Sequence, residues 1–276
     1  MVGPFYTKKP SRFNGAKLRR RPNFYYAMKT ENISNDIRQL AGDKLKHFTV
    51  TQGCCIRGGL AYIVFEQKPN KAKKRPHRCK IVVYDILTKK IKKVSQSLNL
   101  GHGNDIAKSG GVLFVTRSGK SKKINRVDAG SLKKLKSVTV RIPKKYKGKA
   151  TGFNGIAPVG SGWALRGMGG NYVFFLDKSF TAKSARKFDQ PFPKKNRPDS
   201  QGMDSDGSKI FRAYSLLQST DKNYICSFRF NGSLISKDRV TMSGELESVC
   251  LDNGKMYGTI YKKAGKRKQA YVAEIK

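Results

Sequence analysis

A short phrase recurs five times along this chain. In each copy, a Gln, Asn or Glu is followed by a few small or apolar residues, a turn and a second apolar run. The copies begin 46 to 52 residues apart. They are Gln52-Gly53-Cys54-Cys55-Ile56, Asn104-Asp105-Ile106-Ala107, Asn154-Gly155-Ile156-Ala157, Gln201-Gly202-Met203-Asp204 and Glu247-Ser248-Val249-Cys250. A strand-rich repeat of this length is typical of a β-propeller blade.

Each repeat contains short runs of β-branched and aromatic residues between turn residues, which indicates up to four strands per repeat. The fifth repeat stops one strand short, and residues 23–28 form the strand-like run that precedes the first repeat. The sequence therefore predicts an all-β, five-bladed β-propeller over residues 23–276. We expect its ring to be closed by an N-terminal strand that pairs with the last blade, and residues 1–22 to form a basic, flexible arm.

The third strand-like run of a repeat ends in aspartate three times, at Asp85, Asp128 and Asp177. An aspartate side chain at the start of a turn accepts hydrogen bonds from backbone N–H groups a few residues further on. We therefore expect these three residues to stabilise the turn into the fourth strand.

Basic residues far outnumber acidic ones. The chain has 58 Lys and Arg against 18 Asp and Glu, a formal net charge of +40. An excess of this size attracts anions over the whole surface, so we expect a polyanionic partner. No apolar stretch is long enough to span a bilayer, and residues 1–21 contain no apolar core of a signal peptide, so the chain as given is expected to be soluble.

In a four-stranded blade, the connection between the second and third strands lies on the same face of the ring as the connection between blades. Both kinds of connection are rich in lysine and arginine here. We expect one basic face that binds anions through Lys68, Lys71, Lys73, Lys74, Arg75, Arg78, Arg117, Lys120, Lys122, Lys123, Lys144, Lys145, Lys147, Lys262, Lys263, Lys266, Arg267 and Lys268. Binding through lysine clusters is weakly specific and falls steeply with salt.

Polar residues open every repeat and are expected to line a central channel. The channel set is Gln52, His102, Asn104, Asp105, Asn154, Gln201, Asp204 and Glu247. Its polar groups can join neighbouring blades, or they can hold a small ligand or a cation on the axis. Asp105, Asp204 and Glu247 are candidates for a pair of glycosidase carboxylates, although the surrounding positive charge is expected to lower their pKa values.

Other chemistry has little support in the sequence. Cys54, Cys55, Cys79, Cys226 and Cys250 lack the spacing of a zinc site and are expected to be buried free thiols. No nucleophile elbow, phosphate-binding loop or metal motif is found. We therefore expect no metal, no cofactor and no catalytic residue, and an enzyme is the less favoured class.

Three segments resemble the helveticin J family of large bacteriocin-like and cell-surface proteins of lactobacilli. They are Gly101-His102-Gly103-Asn104-Asp105-Ile106, Gln201-Gly202-Met203-Asp204 and Glu247-Ser248-Val249, and the resemblance covers about residues 50 to 276. It implies a secreted, antibacterial or envelope-associated protein, and it supplies no catalytic position.

Three functions remain open. The first is a secreted module that binds anionic cell-envelope polymers of the teichoic or lipoteichoic acid type, with a possible antibacterial effect. The second is a nucleic-acid-binding protein that uses the same basic face, although few aromatic residues interleave its loops for base stacking. The third is a carbohydrate-active enzyme that uses the axial carboxylates.

Overall fold

The structure is a computed structural model that describes residues 27–67, 77–169, 171–195, 197–216, 222–242, 244–265 and 267–276. Its first elements are the strand β1 (Ala27–Asn32), the short helix α1 (Ile37–Ala41) and a 3₁₀ turn at Gly42–Leu45. The predicted arm at residues 1–22 lies outside the described residues. No helix in the described part of the chain is long and apolar enough to cross a membrane.

Three four-stranded antiparallel sheets follow, each in the simple order of the chain. The first contains β2 (Val50–Arg57), β3 (Leu60–Gln67), β4 (Arg78–Asp85) and β5 (Lys90–Val94). The second contains β6 (Ile106–Ser109), β7 (Val112–Thr116), β8 (Lys123–Asp128) and β9 (Lys134–Thr139). After a 3₁₀ turn at Lys144–Tyr146, the third contains β10 (Phe153–Val159), β11 (Gly162–Gly167), β12 (Tyr172–Leu176) and β13 (Ala182–Lys187).

The remaining strands form one nine-stranded sheet. They are β14 (Asp199–Ser205), β15 (Lys209–Ser215), β16 (Asn223–Arg229), β17 (Leu234–Thr241), β18 (Glu245–Leu246), β19 (Cys250–Asp252), β20 (Lys255–Ala264) and β21 (Arg267–Ile275), together with β1. Strand β1 joins the two parts of this sheet. Its first half pairs in parallel with β17, and its second half pairs antiparallel with β21, where Thr30 lies opposite Ile275.

The first strands of successive sheets meet around a common axis. Strand β2 contacts β6, β6 contacts β10, β10 contacts β14, β14 contacts β19, and β19 contacts β2 again. Each of the four junctions between neighbouring sheets has its own hydrophobic cluster, and a fifth cluster lies within the nine-stranded sheet. At the junction of the second and third sheets, Trp163 packs between Phe114 and Phe180, with ring centroids 4.4 and 5.3 Å away. The molecule is therefore an all-β, propeller-like ring.

The predicted N-terminal strand, residues 23–28, overlaps the observed strand β1, which pairs with β21 of the last repeat. Residues 23–26 lie outside the described part of the chain, and the observed strand continues to Asn32. The sequence interpretation also missed α1, whose Ile37 and Ala41 pack with Leu45 against the first sheet and β21. This helix spans five residues, too few for a helical repeat of apolar residues to stand out.

The three turn aspartates act as predicted. Asp85 accepts hydrogen bonds from the backbone N–H groups of Leu87 and Thr88. Asp128 and Asp177 make the equivalent bonds in their own turns. Because the charged carboxylates accept these bonds, the pKa of Asp85 falls to about 2 and that of Asp128 is also lowered. The pKa of Asp177 is lowered mainly by the hydroxyl of Ser179, with the N–H of Thr181 next.

Candidate functional site

The second position of the repeated phrase sits where the first strands of neighbouring sheets approach most closely. Glycine occupies it in three repeats. A Cβ on Gly53 would lie 2.4 Å from the Cα of Asp105, and one on Gly155 would lie 2.8 Å from the Sδ of Met203. At Gly53 the obstacle is backbone, so close packing rather than an unusual backbone conformation requires glycine there.

Asp105 occupies the same position in the second repeat, and its side chain fills the axis. The carboxylate is fully buried. One oxygen accepts from the N–H of Ile106 at 3.0 Å, and the other accepts from Ile156 at 2.8 Å and Met203 at 3.1 Å. A single carboxylate thus joins the first strands of three successive sheets.

Asp204 also connects strands, but it lies closer to the end of the axis where β2 and β14 finish. It forms an ion pair with Arg57 at 3.2 Å and accepts from the N–H of Leu251 at 2.9 Å. Arg57 also donates to the carbonyl of Leu251 at 2.6 Å. Asp105 and Asp204 therefore connect strands, which is one of the two roles expected for the axial polar residues.

A cavity of about 450 Å³ lies on the axis, beyond Asp105. The polar residues that open the five repeats all line it. So does His102. The first-position residues are Gln52, Asn104, Asn154, Gln201 and Glu247. The Oδ1 atoms of Asn104 and Asn154 are buried without a hydrogen-bond partner among the described residues.

The proposed glycosidase carboxylates are not assembled in this cavity. Neither Asp105 nor Asp204 is among its lining residues, and both are engaged by backbone N–H groups. The expected direction of the Asp105 pKa was also wrong. Burial raises that pKa well above its usual value, because it removes water from the carboxylate more strongly than the three N–H bonds stabilise the charge.

Several cavity residues were missed by sequence reasoning. Glu245 stands outside the repeated phrase but lies two residues before Glu247, on the same side of an extended chain, and accepts from the Nε2 of Gln201 at 3.2 Å. Arg166 comes from the second strand of the third sheet. Lys263 and Lys268 of the β20–β21 hairpin also line the cavity, whereas they were expected only on the basic face. Asp199, Ser200, Tyr261 and Val50 complete the missed part of the lining.

A second cavity of about 390 Å³ adjoins the first and shares Arg166 with it. Arg212 is almost fully buried there and donates to the Oδ1 of Asn171 at 2.9 Å. Burial and the nearby Arg212 lower the pKa of Arg166 to about 9. No ion pair joins either arginine to a carboxylate within the described residues, although the charge of Asp199, which lines both cavities, acts on Arg166.

The basic loops lie at the end of the strands where the cavity is. Val50 and Gln52 line the cavity at the start of β2, so the antiparallel order places the β3–β4 and sheet-to-sheet connections at that same end. We call the described residues of the predicted anion-binding set the basic platform. They are Arg78, Arg117, Lys120, Lys122, Lys123, Lys144, Lys145, Lys147, Lys262, Lys263, Arg267 and Lys268. The predicted residues Lys68, Lys71, Lys73, Lys74, Arg75 and Lys266 lie outside the described residues.

The described ion pairs of lysine and arginine lie at the other end of the strands. There, Lys92 pairs with Asp85, Lys183 with Asp177, Lys255 with Glu274, Lys276 with Glu31, and Arg57 with Asp204. Seven platform lysines are exposed, and none of them forms an ion pair with a described carboxylate. They are Lys120, Lys122, Lys123, Lys144, Lys145, Lys147 and Lys263. The positive charge of these seven lysines is therefore not neutralised by an ion pair with a described carboxylate.

All five cysteines are buried free thiols, as the sequence predicted. Burial raises the pKa values of Cys54, Cys55, Cys79 and Cys226, which keeps these thiols protonated and unreactive.

No protein-family model matches this chain, and no curated protein matches its sequence. Its structure is similar to that of the glutaminyl cyclase of Myxococcus xanthus, with a TM-score of 0.58 and 9% identity, covering 92% of this chain and 100% of the other. It is also similar to an α-L-arabinofuranosidase from Podospora anserina in complex with cellotriose, with a TM-score of 0.54 and 8% identity over 91% and 97% of the two chains. At these identities the likeness concerns the fold alone.

Proposed function

We propose that this protein binds an anionic polymer of the bacterial cell envelope, of the teichoic or lipoteichoic acid type, on its basic platform. The observation that carries this proposal is the asymmetry of charge: exposed platform lysines lack carboxylate partners, whereas the described ion pairs of lysine and arginine given above lie at the other end of the strands. Each phosphodiester of such a polymer is a point charge that suits a flexible ammonium group. Binding releases counterions and weakens with salt.

A nucleic acid would be drawn to the same platform by charge, but side-chain exposure favours an envelope polymer. Proteins that bind single strands tightly stack bases on exposed aromatic rings. The large hydrophobic side chains exposed in the described residues are Leu40 and Leu87, and neither is aromatic. Tyr146 of the platform is half-buried and already contacts the ammonium groups of Lys145 and Lys149.

The finer features of the sequence interpretation belong to the same proposal. We propose that the nine-stranded sheet is two blades joined by β1, which gives a five-bladed ring. The resemblance to the helveticin J family implies secretion and an antibacterial effect, and an envelope polymer is the partner that such a protein would meet.

Two matched triple variants test the role of the platform. Lys144→Gln, Lys145→Gln and Lys147→Gln remove three exposed platform charges, and Lys90→Gln, Lys133→Gln and Lys178→Gln remove three exposed charges outside it. Binding to purified teichoic acid, duplex DNA and neutral peptidoglycan is measured over a salt series. We expect the platform variant to bind teichoic acid more weakly, with a log–log salt slope smaller by about 0.7 for each phosphate that its lysines no longer neutralise.

The control variant should bind nearly as the unmodified protein does. Equal losses in both variants would contradict a platform, because bulk charge would then explain the binding. Equal affinity for DNA and teichoic acid would mean that the binding is nonspecific attraction to any polyanion.

A further inference from the structure

Glu66, His77 and His102 come together at the edge of the axial cavity. Glu66 lies near the end of β3, His77 immediately precedes β4, and His102 belongs to the connection that leads to β6. Glu66 is fully buried, and the two imidazoles keep 41% and 33% of their side-chain area exposed. His102 also lines the cavity, so the cluster has access to its contents.

Both histidines of the cluster contact the same carboxylate oxygen. The Nδ1 atoms of His77 and His102 lie 2.6 and 2.7 Å from the same Oε1 of Glu66. The two rings are edge to face, with centroids 5.8 Å apart. One potential ligand atom from each residue lies within 4.8 Å of the others. The second carboxylate oxygen, Oε2, is buried and has no hydrogen-bond partner.

We propose that Glu66, His77 and His102 form a binding site for one divalent transition-metal ion of the zinc class. Two imidazole nitrogens and one carboxylate are a ligand set that suits such ions, at bond lengths of about 2.0 to 2.2 Å. Tetrahedral bonds of that length separate ligand atoms by about 3.3 Å, so each Nδ1 would move away from Oε1 by less than about 1 Å. The partial exposure of both imidazoles gives them room for this movement.

A bound metal ion would also compensate the negative charge of the buried Glu66 carboxylate. A buried carboxylate is costly unless it is paired and hydrogen-bonded, and here one of its oxygens has no partner. Three protein ligands leave a fourth position open, as in zinc sites that bind an exchangeable water or substrate. With His102 in the cavity wall, that position would present the ion to an anionic oxygen of a cavity ligand. This site goes beyond the proposed polymer binding and does not depend on it.

The competing explanation is that the two imidazoles simply hydrogen-bond to the buried carboxylate. The two explanations differ in a measurable way, because a hydrogen-bonded triad binds no ion. The chain contains three histidines, and His47 is exposed and outside this cluster, so it supplies a matched control.

The experiment uses the full chain after a chelator has removed bound metal. The chain is titrated with cobalt(II), because the visible absorption of this ion reports its coordination. Zinc is then added to compete with the bound cobalt. We expect one cobalt ion per chain, with the intense absorption of a tetrahedral site that zinc abolishes. Cobalt binding should weaken by about tenfold or more in His77→Ala, His102→Ala and Glu66→Gln, and it should be unchanged in His47→Ala.

Thermal unfolding of every variant, measured without metal, separates loss of ligands from loss of the fold. If Glu66→Gln unfolds, the two histidine variants still decide the question, because both side chains are partly exposed. No ion bound by the unmodified chain, or binding that survives in the double variant His77→Ala and His102→Ala, would overturn the proposal.

Discussion

At the scale of single residues, Asp105 and the glycines of the repeat have different roles at the same position of the repeated phrase. The glycines at this position leave no side chain where neighbouring strands nearly touch, and in the second repeat the position carries a carboxylate that accepts from three strands. The sequence reasoning placed Asp105 in the central channel. Its role became clear from the N–H groups that surround it, which come from residues about 50 and 100 positions further along the chain.

Asp105→Asn should therefore destabilise the protein. Both carboxylate oxygens accept N–H bonds, so either orientation of an amide places its NH₂ group against at least one backbone donor. We expect a loss of about 1 to 3 kcal/mol in the free energy of unfolding, measured by urea denaturation.

Asp206→Asn is the matched control, because the three donors around Asp206 all bond to its Oδ1, which asparagine retains. It should change stability by no more than about 0.5 kcal/mol. Equal stability of Asp105→Asn and the unmodified protein would show that the axial carboxylate does not hold the strands together.

At the scale of elements, β1 is the strand that joins the ends of the chain. It pairs in parallel with β17 and antiparallel with β21, and its Met28 is buried in the cluster between them. Sequence reasoning inferred such a strand from a missing fourth strand in the last repeat. It did not predict the parallel pairing. The alternation of apolar and polar residues determines which face of a strand is buried, but it does not determine which strand pairs with it.

Met28→Ala should lower the free energy of unfolding by about 2 to 3 kcal/mol, because it removes a buried side chain and leaves a cavity between β17 and β21. Lys29→Ala, at the next position of the same strand, changes an exposed side chain and should alter stability by no more than about 0.5 kcal/mol. Chemical denaturation of both variants checks this. Similar stabilities for the two would mean that β1 adds little to the closure of the ring.

At the scale of the whole molecule, the net charge of +40 is distributed unevenly. Ion pairs neutralise lysines at one end of the strands, while exposed lysines at the cavity end repel one another. Repulsion of this kind destabilises the compact state and is screened by salt.

The midpoint of thermal unfolding should therefore rise by several degrees between about 10 mM and about 500 mM sodium chloride, as the screening length falls from about 30 Å to under 10 Å. The rise should be smaller in the platform triple variant than in the matched triple variant outside the platform. Differential scanning calorimetry measures both, and a midpoint that falls with added salt would contradict uncompensated repulsion.

The sequence by itself determined the all-β class, the repeat and its propeller-like ring, the need for a strand from the N-terminal region, and the buried thiols. These follow from local patterns: strand periodicity, turn residues and the spacing of the repeat. Tertiary structure alone decided that Asp105 and Asp204 connect strands, that Arg166 and Glu245 join the cavity, and that Glu66 meets two histidines. The physical reason is that such contacts join residues far apart in the chain, and the closing of the ring, rather than any local pattern, sets the distance between them.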